Sequence, residues 1–273
     1  METLEFINVK RLIASKNPKL AKWLPGFVIR YLERILHQDE INDFIRNNHD
    51  KYDQDFAEAI MHYFNIKVVI KNVERIPKEG PVILAMNHPL GGMDAVAFIS
   101  EMRHHRKDLR FIVNDLLMSL KNLRNLFVGV NKHGKNDLAV REQIQQTFES
   151  DHAVCIFPAG LVSRRINGEV QDLVWKKTFM IYARSLNRTV VPIYIDGELS
   201  NFFYRFYTIR KSLGIKANLE MLYLSDELFQ QRNRTITFTV GEPIFPESIP
   251  TNMSDRAAAD MVKKAVHQLK HFK

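Results

Sequence analysis

The amino-acid sequence predicts an α/β fold: a largely parallel, mixed sheet flanked by helices, with a helical extension at the N-terminus. Continuous apolar runs at residues 82–86 and 153–157 are typical of strands that are buried on both faces. Segments with helical periodicity separate these runs, as in domains built around a parallel sheet. Residues 1–65, by contrast, show helical patterns and no strand-like alternation.

Seven strands and five helices are predicted in the rest of the chain. The strands are expected at residues 66–70, 82–86, 111–113, 127–130, 153–157, 190–195 and 235–240. The helices are expected at residues 93–103, 116–126, 137–150, 177–186 and 253–272. Asn136 or Asp137 would cap the third helix and Ser254 the last. No Pro/Gly-rich linker divides the chain, so we expect an extension over residues 1–65 and one domain over residues 66–273.

The composition limits the class of protein and of partner. Hydrophobic residues make up 45% of the 273 residues, which is enough for a globular core. The net charge of +8 favours an anionic partner, namely nucleic acid, anionic lipid or a phosphate-bearing substrate. The single cysteine, Cys155, excludes an internal disulfide and fits a reducing compartment. We expect no signal peptide and no membrane-spanning helix, because no stretch reaches the roughly 18 uninterrupted apolar residues that a span requires.

Two segments raise the question of a membrane surface. In the first, apolar side chains share one helical stripe with arginines beside it: Trp23, Leu24, Phe27, Val28, Tyr31, Leu32, Ile35 and Leu36. In the second, residues 200–216, aromatic and basic residues alternate without an acid. Each segment fits the head-group region of an anionic membrane. Each also fits an ordinary packed helix or a buried aromatic cluster with a solvated basic rim, so both interpretations stay open.

The segment Asn87-His88-Pro89-Leu90-Gly91-Gly92-Met93-Asp94 carries the clearest chemical signal. It follows a predicted buried strand and precedes a helix, and ligands of α/β sheets bind at such strand ends. A histidine can act as a base near neutral pH, and a carboxylate can fix its tautomer. Residues six positions apart do not share a helical face, so the chain must bend through Gly91-Gly92 to bring Asp94 to His88. The alternative is a histidine that only caps a helix or satisfies the core.

This segment resembles the His-x4-Asp block of the glycerolipid acyltransferases, which include glycerol-3-phosphate and lysophosphatidate acyltransferases. Three further blocks follow in the family's order: Val130-Asn131-Lys132, Phe157-Pro158-Ala159-Gly160-Leu161-Val162-Ser163-Arg164 and Val191-Pro192-Ile193. The resemblance covers about residues 66–245. It implies a glycerol-3-phosphate acyltransferase-like fold and an acyltransferase domain over residues 66–273. It also implies acyl-ACP or acyl-CoA as co-substrate, with no cofactor and no metal.

The resemblance assigns roles to seven residues. His88 would be the base and Asp94 its partner, and the following residues would bind substrate: Asn87, Lys132, Gly160, Ser163 and Arg164. Backbone N–H groups around Gly160 would stabilise the oxyanion. Three departures stand out, since His88 and Asp94 have five residues between them, Ala159 replaces a glutamate and Lys132 replaces an arginine. In these three departures the sequence resembles a hemolysin-like bacterial branch of the family, which is related to enzymes that make ornithine or glycine lipids.

We therefore expect an acyltransferase that moves a fatty-acyl group onto a lyso-lipid hydroxyl, as a peripheral protein on the cytoplasmic side of the membrane. One alternative is an N- or O-acyltransferase that makes amino-acid-containing lipids. A second is a non-catalytic lipid-binding protein, which would not need His88 or Asp94. No nucleic-acid partner is predicted, because the chain lacks zinc-finger spacing and an RNP-like aromatic motif. No metal is predicted either, since the histidines lack ligand-like spacing to carboxylates.

Overall fold

The computed structural model describes residues 7–130 and 138–271. Its α-helices are α1 (Val9–Lys16), α2 (Pro18–Trp23), α3 (Gly26–Ile35), α4 (Gln38–Asn47), α5 (Asp53–Phe64), α6 (Gly92–Met102), α7 (Leu138–Glu149), α8 (Thr178–Ser185), α9 (Asn201–Ser212), α10 (Leu224–Phe229) and α11 (Asp255–Gln268). Its strands are β1 (Lys67–Lys71), β2 (Val82–Met86), β3 (Leu109–Asn114), β4 (Phe127–Val130), β5 (Ala153–Ile156), β6 (Arg164–Ile166), β7 (Glu169–Gln171), β8 (Thr189–Asp196) and β9 (Thr235–Val240). Short 3-10 helices join several of these elements.

The described residues form two compact units. The smaller takes in the chain up to Lys51 together with Leu199–Arg232, and the larger takes in Tyr52–Glu198 together with the chain from Asn233 onward. This grouping differs from the predicted division into an extension over residues 1–65 and one domain over residues 66–273. Helix α5 belongs to the larger unit, and a segment from late in the chain completes the smaller one.

The larger unit is built on a seven-stranded sheet in the order β1-β9-β8-β2-β5-β3-β4. Every neighbouring pair is parallel except β8 and β9, which are antiparallel. The prediction of a largely parallel, mixed sheet flanked by helices is confirmed. Strand β2 lies between β5 and β8, and its Leu84 lies opposite Cys155 on one side and Val191 on the other.

The central strands are buried because their sequences are apolar without interruption. All five residues of β2 are buried, and Ile83 and Ala85 join a hydrophobic cluster with side chains from α7, α8 and α11. Burial of such side chains is the dominant favourable term in folding, at about 25 cal/mol per Å² of apolar area. Ser254 caps α11 by accepting a hydrogen bond from the Ala257 N–H, as predicted. Asn136 and Asp137, the predicted caps of α7, lie outside the described residues.

Several elements differ from the predictions. Residues 116–126 form parts of two short 3-10 helices, Asp115–Ser119 and Lys121–Leu126, in place of one α-helix. Strands β6 and β7 form an antiparallel hairpin that was not predicted. Asn167 (φ 53°) and Gly168 (φ 85°) make its turn. Both lie in the left-handed region, as a type I′ hairpin turn requires.

The apolar stripe near the N-terminus is divided between two helices. Helix α2 ends at Trp23, and Pro25 is the N-cap of α3 because it can begin a helix but cannot continue one. Ile35 is buried, whereas Trp23 is 86% exposed and Phe27 is 66% exposed. Among the residues described, no helix combines the length and the apolar character that crossing a membrane would require.

Candidate active site

The sheet brings two of the predicted blocks to one edge. Strands β2 and β5 are parallel neighbours, so the segments that follow them leave the same edge of the sheet. We call residues 87–91 the His88 loop and residues 157–163 the Phe157 loop. The Ser163 N–H donates a hydrogen bond to the His88 carbonyl oxygen at 2.8 Å, which joins the two loops directly.

His88 and Asp94 meet through the bend at the two glycines. Gly91 adopts φ 68° and ψ −134°, a conformation open to glycine and strained for other residues, and α6 begins at Gly92. The bend places Asp94 in the first turn of α6, with its Oδ2 at 2.9 Å from His88 Nδ1. The same oxygen accepts a second hydrogen bond, at 3.0 Å, from the Leu90 N–H. The carboxylate therefore fixes both the imidazole and the loop that carries it.

Burial dominates the electrostatics of Asp94. The side chain is fully buried, and this desolvation raises the pKa of Asp94 above its ordinary value. The hydrogen bond and charge of His88 and the Leu90 N–H oppose that rise, while the charge of Asp172 adds to it. An ionised Asp94 so placed favours a positive charge on the neighbouring imidazole, which a base acquires when it takes a proton.

The His88 ring leaves one nitrogen available. Nδ1 is held by Asp94, and the ring stacks on Phe157 with 4.2 Å between the two ring centroids. The His88 side chain is 18% exposed. No residue within 7–130 or 138–271 makes a hydrogen bond to Nε2. Since Nδ1 is the hydrogen-bonded nitrogen, Nε2 is the atom that can take a proton from a bound acceptor.

Asp172 is a third polar residue of this site, which the family blocks do not include. Its Oδ1 accepts hydrogen bonds from the His88 N–H at 3.2 Å and from Ser163 Oγ at 2.5 Å. Its Oδ2 accepts a bond from Trp175 Nε1 at 2.7 Å. Nothing local in the sequence indicates its contact with His88.

Asn87 and Gly160, two predicted substrate-binding residues, are engaged within the protein. The Asn87 amide donates to the Ile195 carbonyl at 2.9 Å and accepts from the Ile195 N–H at 2.7 Å, which ties the end of β2 to β8. The Gly160 N–H donates to the Phe157 carbonyl at 2.9 Å and closes a turn with φ +67° at Gly160. Contact of either residue with substrate stays a prediction.

The other three predicted residues have different placements. Ser163 is buried and donates its hydroxyl to Asp172. Arg164 is also buried, and its guanidinium donates to the carbonyl oxygens of Val162 at 2.6 Å and Ser163 at 3.3 Å. Lys132 lies outside the described residues. Their roles in substrate binding stay predictions.

Comparisons with known proteins identify the family of the chain. Residues 11–272 match the model of a protein family described as acyltransferase. The chain is 43% identical over 269 residues to a lyso-glycine lipid O-acyltransferase of Bacteroides thetaiotaomicron, covering 98% of this chain and 99% of that protein. It is 39% identical over 269 residues to a lyso-glycine lipid O-acyltransferase of Phocaeicola vulgatus, covering 98% of this chain and 96% of that protein.

Among solved structures, the chain is similar to the 1-acyl-sn-glycerophosphate acyltransferase PlsC from Thermotoga maritima, with a TM-score of 0.49 and 18% identity. That match covers 96% of each chain. The sequence matches carry the assignment, because the family model spans nearly the whole chain and the first relative is 43% identical end to end. The chain is a member of the acyltransferase family, and it is an enzyme of that family.

Proposed function

We propose that this enzyme transfers a fatty-acyl group from a thioester donor, acyl-ACP or acyl-CoA, to the hydroxyl oxygen of a lyso-glycine lipid. The observation that carries the proposal is the contact between His88 Nδ1 and Asp94 Oδ2 at 2.9 Å, with no hydrogen bond to Nε2 from the described part of the chain. The two relatives of about 40% identity, named for this reaction, support the acceptor. They favour the amino-acid-lipid alternative over a general lyso-lipid acceptor.

In the proposed reaction, His88 acts as the general base and Asp94 as its partner. The acceptor hydroxyl loses its proton to Nε2 while its oxygen forms a bond to the thioester carbonyl carbon. Asp94 stabilises the imidazolium that results. When the tetrahedral intermediate collapses, the C–S bond breaks. The leaving thiolate takes the proton from the His88 imidazolium, which returns His88 to its neutral form. General-base catalysis of this kind contributes about 10²–10⁴-fold.

The test is acyl transfer by purified protein with an acyl-ACP or acyl-CoA donor. We expect O-acylated glycine lipid as product, and a higher kcat/KM for lyso-glycine lipid than for lysophosphatidate. His88→Ala should lower kcat about 10²–10⁴-fold, because the acceptor then loses its base. His104→Ala is the matched control, since His104 is exposed and should leave turnover unchanged. Unchanged turnover by folded His88→Ala would exclude the catalytic assignment.

We further propose that the enzyme works as a peripheral protein at an anionic membrane surface on the cytoplasmic side, with α9 as a contact element. Positions 202, 206, 209 and 213 share one face of α9 and its end. Phe202 is 51%, Ile209 57% and Leu213 68% exposed. Arg205 and Lys211 are exposed as well. An exposed apolar stripe with basic neighbours supports binding in the head-group region, where each Lys or Arg contributes about 1 kcal/mol.

A further inference from the structure

A buried carboxylate outside the family blocks holds the two loops of the active site together. Asp172 is 2% exposed, yet three donors converge on it: the His88 N–H, the Ser163 hydroxyl and the Trp175 indole N–H. All three partners donate, which is the pattern of an ionised carboxylate because that group only accepts. Buried polar groups with every partner satisfied are rigid, so this network fixes the positions of its members.

The hairpin of β6 and β7 explains how Asp172 reaches Ser163. The hairpin begins directly after Ser163 and ends directly before Asp172, with Arg164 paired to Gln171 at its open end. Its turn at Asn167-Gly168 therefore returns the chain to the Phe157 loop. Nine positions separate Ser163 from Asp172 along the chain, but their side-chain oxygens are 2.5 Å apart.

The main chain around Asp172 is held by other residues. Lys263 Nζ in α11 donates to the Asp172 carbonyl at 2.8 Å and to the Leu173 carbonyl at 3.0 Å. Arg256 in the same helix donates to the Trp175 carbonyl at 2.8 Å. The carboxylate thus projects from an anchored segment, and a change confined to the side chain leaves that anchorage in place.

We propose that Asp172 is a positioning residue, which fixes the His88 backbone against the Phe157 loop and so aims His88 Nε2 at the acceptor. The inference rests on the proposed role of His88 as base. The His88 backbone is held at both polar groups, by Asp172 at its N–H and by the Ser163 N–H at its carbonyl. Asp172 itself touches no reacting atom. Its effect is geometric, and a misplacement of about 1 Å can lower a rate about 10²-fold.

Asp172→Asn is the decisive variant, because the amide keeps the size of the side chain but adds a donor. If its oxygen still serves His88 and Ser163, its NH₂ faces the Trp175 N–H, donor against donor. If the amide turns over, the His88 N–H loses its acceptor. We expect kcat to fall about 10–100-fold while KM for donor and acceptor stays within about 3-fold, because the loops shift but the binding surfaces remain.

A second substitution should partly reverse this loss. Trp175→Phe removes the opposing indole N–H, so the asparagine oxygen can again accept from His88 and Ser163. We expect Asp172→Asn/Trp175→Phe to turn over faster than Asp172→Asn, and to come within about 3-fold of Trp175→Phe alone. A purely structural contribution predicts the opposite, since two damaging changes in one buried cluster would lower kcat further.

Two controls separate the possible outcomes. Ile236→Val, at a buried position of β9, should lower the Tm without changing kcat, which would show that lost stability alone does not lower turnover. If His88→Ala lowers kcat about 10²–10⁴-fold but Asp172→Asn matches wild type in kcat, the positioning role is wrong and the proposed function stands. If His88→Ala keeps full turnover, the proposed function itself fails.

Discussion

His88 and Asp94 could be paired from the sequence because their contact depends on a local bend. Six positions separate them, and two glycines lie between. The positive φ of Gly91 and the start of α6 at Gly92 supply the predicted bend. Asp172 could not be predicted in the same way, because it lies 84 positions from His88 and reaches it only through the sheet and the hairpin. Side chains of the family blocks proved harder to place, as the internally bonded amide of Asn87 shows.

Asp94→Asn should separate activity from stability. Burial raises the pKa of Asp94 in the folded protein, so the stability that this group contributes is complete below its ordinary pKa of 3.8 and is lost as the pH rises through the folded pKa. The asparagine side chain of the variant does not titrate. We therefore expect the Tm of the variant, relative to wild type, to be higher at pH 8 than at pH 4.

The same variant should lose about 10²–10⁴-fold in kcat, because the imidazole loses the carboxylate that orients and stabilises it. Calorimetry at the two pH values and steady-state kinetics give both results. A relative Tm that falls from pH 4 to pH 8 would mean that attraction to His88 outweighs the desolvation of Asp94.

At the level of elements, the strands of the central sheet could be predicted because a short run of apolar residues bounded by polar ones is typical of a strand buried on both faces. The hairpin of β6 and β7 was missed although Asn167-Gly168 is a strong turn signal. Its strands have three residues each and include Arg164, Arg165 and Glu169, so no apolar alternation marks them. Residues 116–126 look helical because 3-10 and α-helices share similar local preferences.

Helix α9 is compatible with both interpretations of residues 200–216, because it contains both a buried and an exposed apolar face. Phe203 and Tyr204 are buried, whereas Ile209 and Leu213 are exposed. Ile209→Ser/Leu213→Ser should lower binding to vesicles of phosphatidylglycerol and phosphatidylcholine at least about 10-fold. About 0.8 kcal/mol is lost for each CH₂ no longer buried in lipid, so the loss of two such groups already exceeds the roughly 1.4 kcal/mol of a tenfold change. Cosedimentation measures this binding.

The matched control is Leu138→Ser, which removes an exposed apolar residue of the larger unit and should bind vesicles like wild type. Turnover of acceptor dissolved in detergent should be equal for all three proteins, because α9 is proposed to meet the membrane and not the reacting atoms. Equal vesicle binding by the α9 variant and wild type would show that α9 does not contact the membrane.

At the scale of the whole molecule, the sequence order of elements hides how they group. The smaller unit combines the N-terminal helices with Leu199–Arg232, a pairing across more than half of the chain that periodicity and composition do not encode. The identity of the proposed acceptor is a second property that periodicity and composition do not encode. The family blocks indicate acyl transfer, whereas the choice of an amino-acid lipid rests on the two relatives of about 40% identity.

The hydrogen bond from the Ser163 hydroxyl to Asp172 has a consequence for the kinetic mechanism. Ser163 is buried with its proton donated, and Cys155 is buried inside β5, where desolvation raises the pKa of its thiol. Neither side chain is placed to carry the acyl group between donor and acceptor, in keeping with the proposed direct transfer that uses His88 as base. Both substrates should then be bound together in a ternary complex. Double-reciprocal plots of initial rate should then intersect. Parallel lines, the pattern of a ping-pong reaction, would indicate an acyl-enzyme intermediate.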